Sequence, residues 1–269
     1  MKRFKNFALK RPFMFGFALF IIFFLLNALS YPVQMLLPET GPWSLLASML
    51  AKLVTFGIFL WVLSRFGWLK SAGFKQLGKP QTWLGIFLIL IYLIVLEVYA
   101  FTGDLTFPIP DPPMAAATLL DHLGTGLVEE TMVRGLVLVA MVLAWGETQK
   151  GLVKAVLLSS IFFGIIHLAN VIVSPVGTVV AQAIVVSLPG ILYATLTLAF
   201  RSIWPAILIH WLTNAAVNIK LIALPDFEET FSMWLIFAAG LIPVLVYSAY
   251  LIRKLPAPFE YVELEPEIE

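Results

Sequence analysis

Seven apolar runs fix the architecture of this chain. Phe13–Leu37, Trp43–Leu63, Trp83–Phe101, Leu152–Val173, Gly177–Phe200, Ile203–Ala223 and Met233–Ile252 are separated by short polar connectors, except across residues 102–151. All are long enough for a bilayer-crossing helix, which needs roughly 20 residues at a rise of about 1.5 Å each. An eighth segment, Ala115–Trp145, exceeds that length and is expected to start along the interface or to tilt. Residues are 61% hydrophobic and only 12% charged, more apolar surface than a soluble core can use. The expected fold is all-α: a polytopic transmembrane helical bundle of about eight spans.

Met1–Arg11 is basic and precedes the first run. A signal peptide is the rival reading, with Ala28-Leu29-Ser30 as its cleavage site. The run is longer than a signal sequence's apolar core, usually 7–15 residues, and continues past that site. A retained helix is expected, kinked by Pro32. Gly103–Pro113, rich in Pro and Asp, reads as a rigid connector. Eight spans place both termini on one side, and 14 of the 17 Lys and Arg residues then fall on that side. By the positive-inside rule the termini are cytoplasmic, as expected for an integral multi-pass protein of a prokaryotic plasma membrane. The acidic tail (Glu260, Glu263, Glu265, Glu267, Glu269) reads as a solvated end. Net charge of +1 gives no argument for a nucleic-acid partner, and the absence of Cys excludes disulfides and thiolate chemistry. No internal repeat of the transporter kind is detectable, and only Pro189-Gly190 suggests a break within a span.

Charged and imidazole groups inside spans are expensive, about 2.5–3.5 kcal/mol for an acidic or basic residue at a helix centre. They are therefore informative. Lys52 and Glu97 are expected to pair with each other or to snorkel near the outer surface. Leu127–Arg134 places Glu129, Glu130 and Arg134 within six residues. Glu130 and Arg134 have the i, i+4 spacing of a helical ion pair. Glu129 points about 100° away by the helical period and must find its partner on another helix. His167 follows Phe163 by one turn, and Gly164 between them admits a neighbouring helix closely. His210 precedes Asn214 by one turn on the same face. His122, beside Asp121, reads as part of an interfacial polar pair.

These three motifs, Glu129-Glu130-x-x-x-Arg134, Phe163-x-x-x-His167 and His210-x-x-x-Asn214, resemble in order and spacing those of the CPBP family. That family comprises CAAX proteases and bacteriocin-processing enzymes and is also called the ABI family. Gly135 and the run Arg201-Ser-Ile-Trp204-Pro-Ala are family-like too, while Val133 stands where Phe is usual. The resemblance implies an intramembrane endopeptidase of the glutamate type. Glu129 and His167 would activate a water, and His210 and Asn214 would donate to the oxyanion. Glu130, Arg134 and Phe163 would support them. It covers residues 115–222, flanked by a three-helix region (1–114) and by a last helix with its tail (223–269).

Absences narrow the chemistry further. No His-Glu-x-x-His zinc helix and no Gly-x-Ser nucleophile motif is present. Gly124-Thr-Gly126 is followed by Leu127 where an aspartyl protease needs Asp. A zinc site built from Glu129, His167 and His210 is open on ligand types, but Asn214 is a poor zinc ligand, so no cofactor is expected. A proton-coupled transporter using the same residues, or a non-catalytic immunity or scaffold protein, is the alternative. Expected partners are the lipid bilayer and a membrane-associated or lipidated peptide.

Overall fold

The computed structural model describes residues 1–28, 36, 41–106, 111–172, 174–224 and 227–261. Among these the chain is helical, without a strand. A short amphipathic helix, α1 (Lys2–Lys10), leads into the apolar α2 (Pro12–Ala28). The kink expected at Pro32 lies outside the described residues. Next come α3 (Pro42–Phe66) and α4 (Pro80–Thr102), each starting at a proline and ending at a left-handed glycine, Gly67 and Gly103. Proline suits the first helical turn because its missing N–H is unpaired there anyway.

The segment expected as one long fourth span is a composite. It runs α5 (Pro112–Glu130), a π-helix (Thr131–Leu138) and α6 (Val139–Trp145). Asp111 caps α5 by accepting from the Met114 N–H at 3.2 Å. The helical hairpin α7 (Gln149–Ile166) and α8 (Val176–Phe200) follows, joined by a 3-10 turn, His167–Ile172. Two elements complete the chain: α9 (Trp204–Leu221), and the pair α10 (Phe231–Gly240) and α11 (Ile242–Lys254), bent by 45°. Beyond α11 the backbone turns back over the helix ends. Phe259 N–H donates to Gly146 O and Arg201 donates to Glu260 O, both at 2.9 Å.

Four of these helices are long and apolar enough to cross a membrane, and the bent pair makes five. The chain is a multi-pass helical membrane protein. α5 and α9 fall outside that set because they carry the polar side chains.

Packing places α5 at the centre, against α3 on one side and α9 on the other, while α9 also meets α4. Glycines allow this closeness. A Cβ at Gly126 would lie 3.3 Å from Ile207 O on α9, and one at Gly124 would lie 3.1 Å from the Lys52 stem on α3. Gly164 does the same between α7 and α8, where a Cβ would overlap Ser187 Oγ and Ala183 O. That contact matches the close approach the sequence suggested.

Two expectations are corrected here. α8 passes through Pro189-Gly190 without a break. Both residues are buried, and α7, α10 and α11 pack along the helix. Neighbours of this kind let membrane helices tolerate proline. Lys52 does not pair with Glu97. Its Nζ lies 2.6 Å from Asp121 Oδ1, because α3 packs on α5 while α4 packs on α9 and α10.

Candidate active site

Glu130 is the hub of the buried polar centre. Its side chain and that of Arg134 are fully buried, and Arg134 Nη1 donates to Glu130 Oε1 at 3.0 Å. The i, i+4 pair read from the sequence therefore forms, just where the chain passes from α-helix to π-helix. π-helical turns recur at functional sites, but nothing in the sequence announced this one. Arg134 is also held by a bond from Nη2 to Gly190 O at 3.0 Å. Its guanidinium lies 4.4 Å from the Phe163 ring centroid and 5.2 Å from that of Tyr193. Gly190 leaves room for it, since a Cβ there would sit 3.2 Å from Nη2.

The same Glu130 oxygen takes a second donor from 80 residues away, His210 Nδ1 at 2.8 Å. The His210 ring stacks on Tyr193 with centroids 5.8 Å apart and 16° between planes, and meets the edge of Phe163 at 5.2 Å. Its other nitrogen, Nε2, faces Glu129 Oε2 at 3.9 Å. Glu129 has thus found its partner on another helix. Glu129 Oε2 has no hydrogen-bond donor among the described residues, so it can accept from a ligand.

His167 sits where α7 gives way to the 3-10 turn. Its Nδ1 donates to Phe163 O at 2.8 Å, and its ring packs edge-on against Phe163 at 5.2 Å. That bond leaves Nε2 unprotonated in the neutral ring, the form that accepts a proton. The imidazole lies within electrostatic reach of Glu129 and His210. Glu129, His167 and His210 are therefore brought together. Asn214 is one turn beyond His210 and half-buried. Its carboxamide makes no hydrogen bond to Glu129, His167 or His210 among the described residues, while its backbone oxygen accepts from Asn218 at 2.9 Å. His122, expected at an interfacial pair, has its neighbour Asp121 taken by Lys52, and its Nδ1 has no partner among the described residues.

Three residues join the site that sequence reasoning did not place there. Tyr193 and Gly190, both on α8, carry no charge to reveal them. Glu97 on α4 was visible as a carboxyl group inside a span but was assigned to Lys52. It lies within electrostatic reach of His210. No group of three or more His, Asp or Glu side chains among the described residues is arranged to hold a metal ion.

Fold and site together define a multi-pass helical membrane protein with a carboxylate–imidazole centre inside its bundle. Residues 111–216 match the family described as type II CAAX prenyl endopeptidase Rce1-like. The matched segment contains all three motifs, in agreement with the CPBP and CAAX-protease resemblance. No match was found among curated proteins or solved structures.

Proposed function

We propose that the protein is an intramembrane endopeptidase that hydrolyses peptide bonds of membrane-associated or lipidated substrates without a metal. The observation that carries this reading is the Glu129 carboxylate. Its Oε2 has no donor among the described residues, lies 3.9 Å from His210 Nε2 and is within reach of His167. A carboxylate and a neutral imidazole beside one water can share its proton. Glu129 takes the proton, the hydroxide adds to the scissile carbonyl carbon, and the oxyanion develops opposite His210 and Asn214. Collapse breaks the C–N bond, and the proton held by Glu129 passes to the leaving amine.

His210 has a further requirement in this scheme. Its Nδ1 already donates to Glu130, so Nε2 can donate to the oxyanion only when both nitrogens carry protons. The carboxylates around the ring are what make that charged form tolerable inside a membrane. Residues 115–222 form the catalytic core in this reading, with 1–114 and 223–269 flanking it. The chain crosses the membrane eight times with cytoplasmic termini.

The test is cleavage of a peptide panel by the purified protein in proteoliposomes. The panel holds farnesylated and unlipidated peptides ending in a CAAX sequence, together with single-span membrane peptides. Cleavage that persists after exhaustive chelation is expected. Stoichiometric bound zinc whose removal stops cleavage would move His210 into a metal's coordination shell instead.

A further inference from the structure

The 3-10 turn that begins at His167 has two unlike sides. Residues three apart eclipse one another in this geometry, so His167 and Asn170 share one side of the turn, and Leu168 and Val171 share another. Leu168 and Val171 are exposed, whereas His167 and Asn170 are half-buried. Asn170 is held from α8, where its Nδ2 donates to Gln182 Oε1 at 2.8 Å. Its backbone oxygen accepts from Ser174 N–H at 2.9 Å, which closes the turn. Gln182 and Tyr193 lie three turns apart on α8, within about 20° of the same face. Tyr193 in turn packs against Phe163 and His210. The pair of amides therefore continues the polar face of the site beyond His167.

One bond between the two amides would serve helix packing, yet the pair has more to offer. Each carboxamide carries two N–H donors and a carbonyl oxygen, and their mutual bond uses one donor and one acceptor. Neither side chain makes another hydrogen bond among the described residues. Both are half-buried, so the remaining groups are open to a ligand. A peptide cut inside a membrane presents the complementary set. Once unwound into an extended strand, it exposes backbone N–H and C=O groups that lipid cannot satisfy. At a rise of about 2 Å per residue, Asn170 stands about 6 Å from His167 along the turn. That is the length of about two residues of extended chain.

We infer that Asn170, steadied by Gln182, binds the backbone of an extended substrate two residues from the scissile bond. This deepens the proteolytic reading and rests on it. The contact is to a peptide group, so it fixes the strand's course without selecting a side chain. The test replaces single backbone N–H groups of a cleaved panel peptide by ester oxygens, two residues before and two residues after the scissile bond. With the wild type, one of the two esters should lower kcat/KM roughly 3- to 10-fold, the worth of one hydrogen bond. Asn170→Leu, close in shape and without donors, should lower kcat/KM for the parent peptide by a similar factor and abolish the ester's penalty. Leu168→Ala, elsewhere on the same turn, should keep that penalty. Gln182→Leu, which releases Asn170, should shrink it, and carries the test if Asn170→Leu does not fold. A residue that only tied the helices together would lower the melting temperature and slow both peptides equally, with the ester penalty retained. That result overturns the inference, as does a wild type indifferent to both esters. Binding of the labelled parent peptide to the Glu129→Gln protein in lipid nanodiscs, followed by fluorescence anisotropy, needs no turnover. Adding Asn170→Leu to that protein should weaken binding by the same factor, and unchanged affinity overturns the inference. If the wild type cleaves nothing, the proteolytic reading falls, and the binding measurement still decides whether Asn170 holds a peptide.

Discussion

At the scale of single residues, Glu130 Oε1 does two things at once, accepting from Arg134 and from His210. A fully buried pair broken on one side leaves an uncompensated charge, at about 3–5 kcal/mol. Arg134→Met should therefore destabilise the protein by that amount, and the double variant Glu130→Gln with Arg134→Met should be less destabilised. Chemical denaturation in detergent checks this, and a milder defect in the single variant would contradict the pairing. Half of this centre was legible in the sequence. The i, i+4 rule couples Glu130 to Arg134 through one helix's own geometry. His210 reaches the same oxygen only because α9 packs against α5, and no local rule encodes that. The Lys52 and Glu97 expectation failed for the same reason. Both charges were visible, but which helices become neighbours decides the partner, and Lys52 went to Asp121.

At the scale of elements, the hairpin of α7 and α8 positions His167. Gly164, three residues before His167, is pressed against Ala183 and Ser187. Gly164→Ala must push the helices apart, and overpacking of this kind costs about 1–3 kcal/mol. The variant should melt lower and lose cleavage disproportionately, because His167 moves with the helix. A variant that melts and cleaves like wild type would show that the contact has slack.

A second tie joins the connector after α4 to the end of α9, where Lys220 donates to Asp104, which also accepts from Thr106 N–H at 2.8 Å. The Lys220 bond first, and the Thr106 bonds next, hold the Asp104 carboxyl down at about 2 from an ordinary 3.8. A depressed carboxyl stabilises the fold fully above its unfolded value. That contribution fades as pH falls from about 4 through about 2. Asp104→Asn should lower the melting temperature at neutral pH and flatten its decline across that acid window. Equal acid sensitivity in the variant would remove Asp104 from the tie. The acidic connector was readable as a turn, whereas its hold on Lys220 depends on tertiary placement. The π-helix after Glu130 was not readable at all, since its sequence fits an ordinary α-helix equally well. Pro189 misled for a physical reason, because neighbouring helices support α8 where an isolated helix would break.

At the scale of the whole molecule, the helical membrane class followed directly from the apolar runs, because lipid leaves a long apolar segment little choice but helix. The number of crossings is less transparent. α5 and α9 are too polar and α2 too short to count, so length and composition alone admit four or five spans; the proposed eight add these three. The chain has no Cys, so single-cysteine variants report topology cleanly. Lys79→Cys should label from the cytoplasmic side and Glu228→Cys from the opposite side, and labelling of both from one side would contradict eight spans. The central claim, that a carboxylate inside the bundle activates water for peptide hydrolysis, is tested most directly by the turnover of Glu129→Gln. Measured in proteoliposomes on any panel peptide the wild type cleaves, the variant should have no detectable turnover, with the wild-type melting temperature retained. A folded Glu129→Gln protein that cleaves at the wild-type rate would contradict the account.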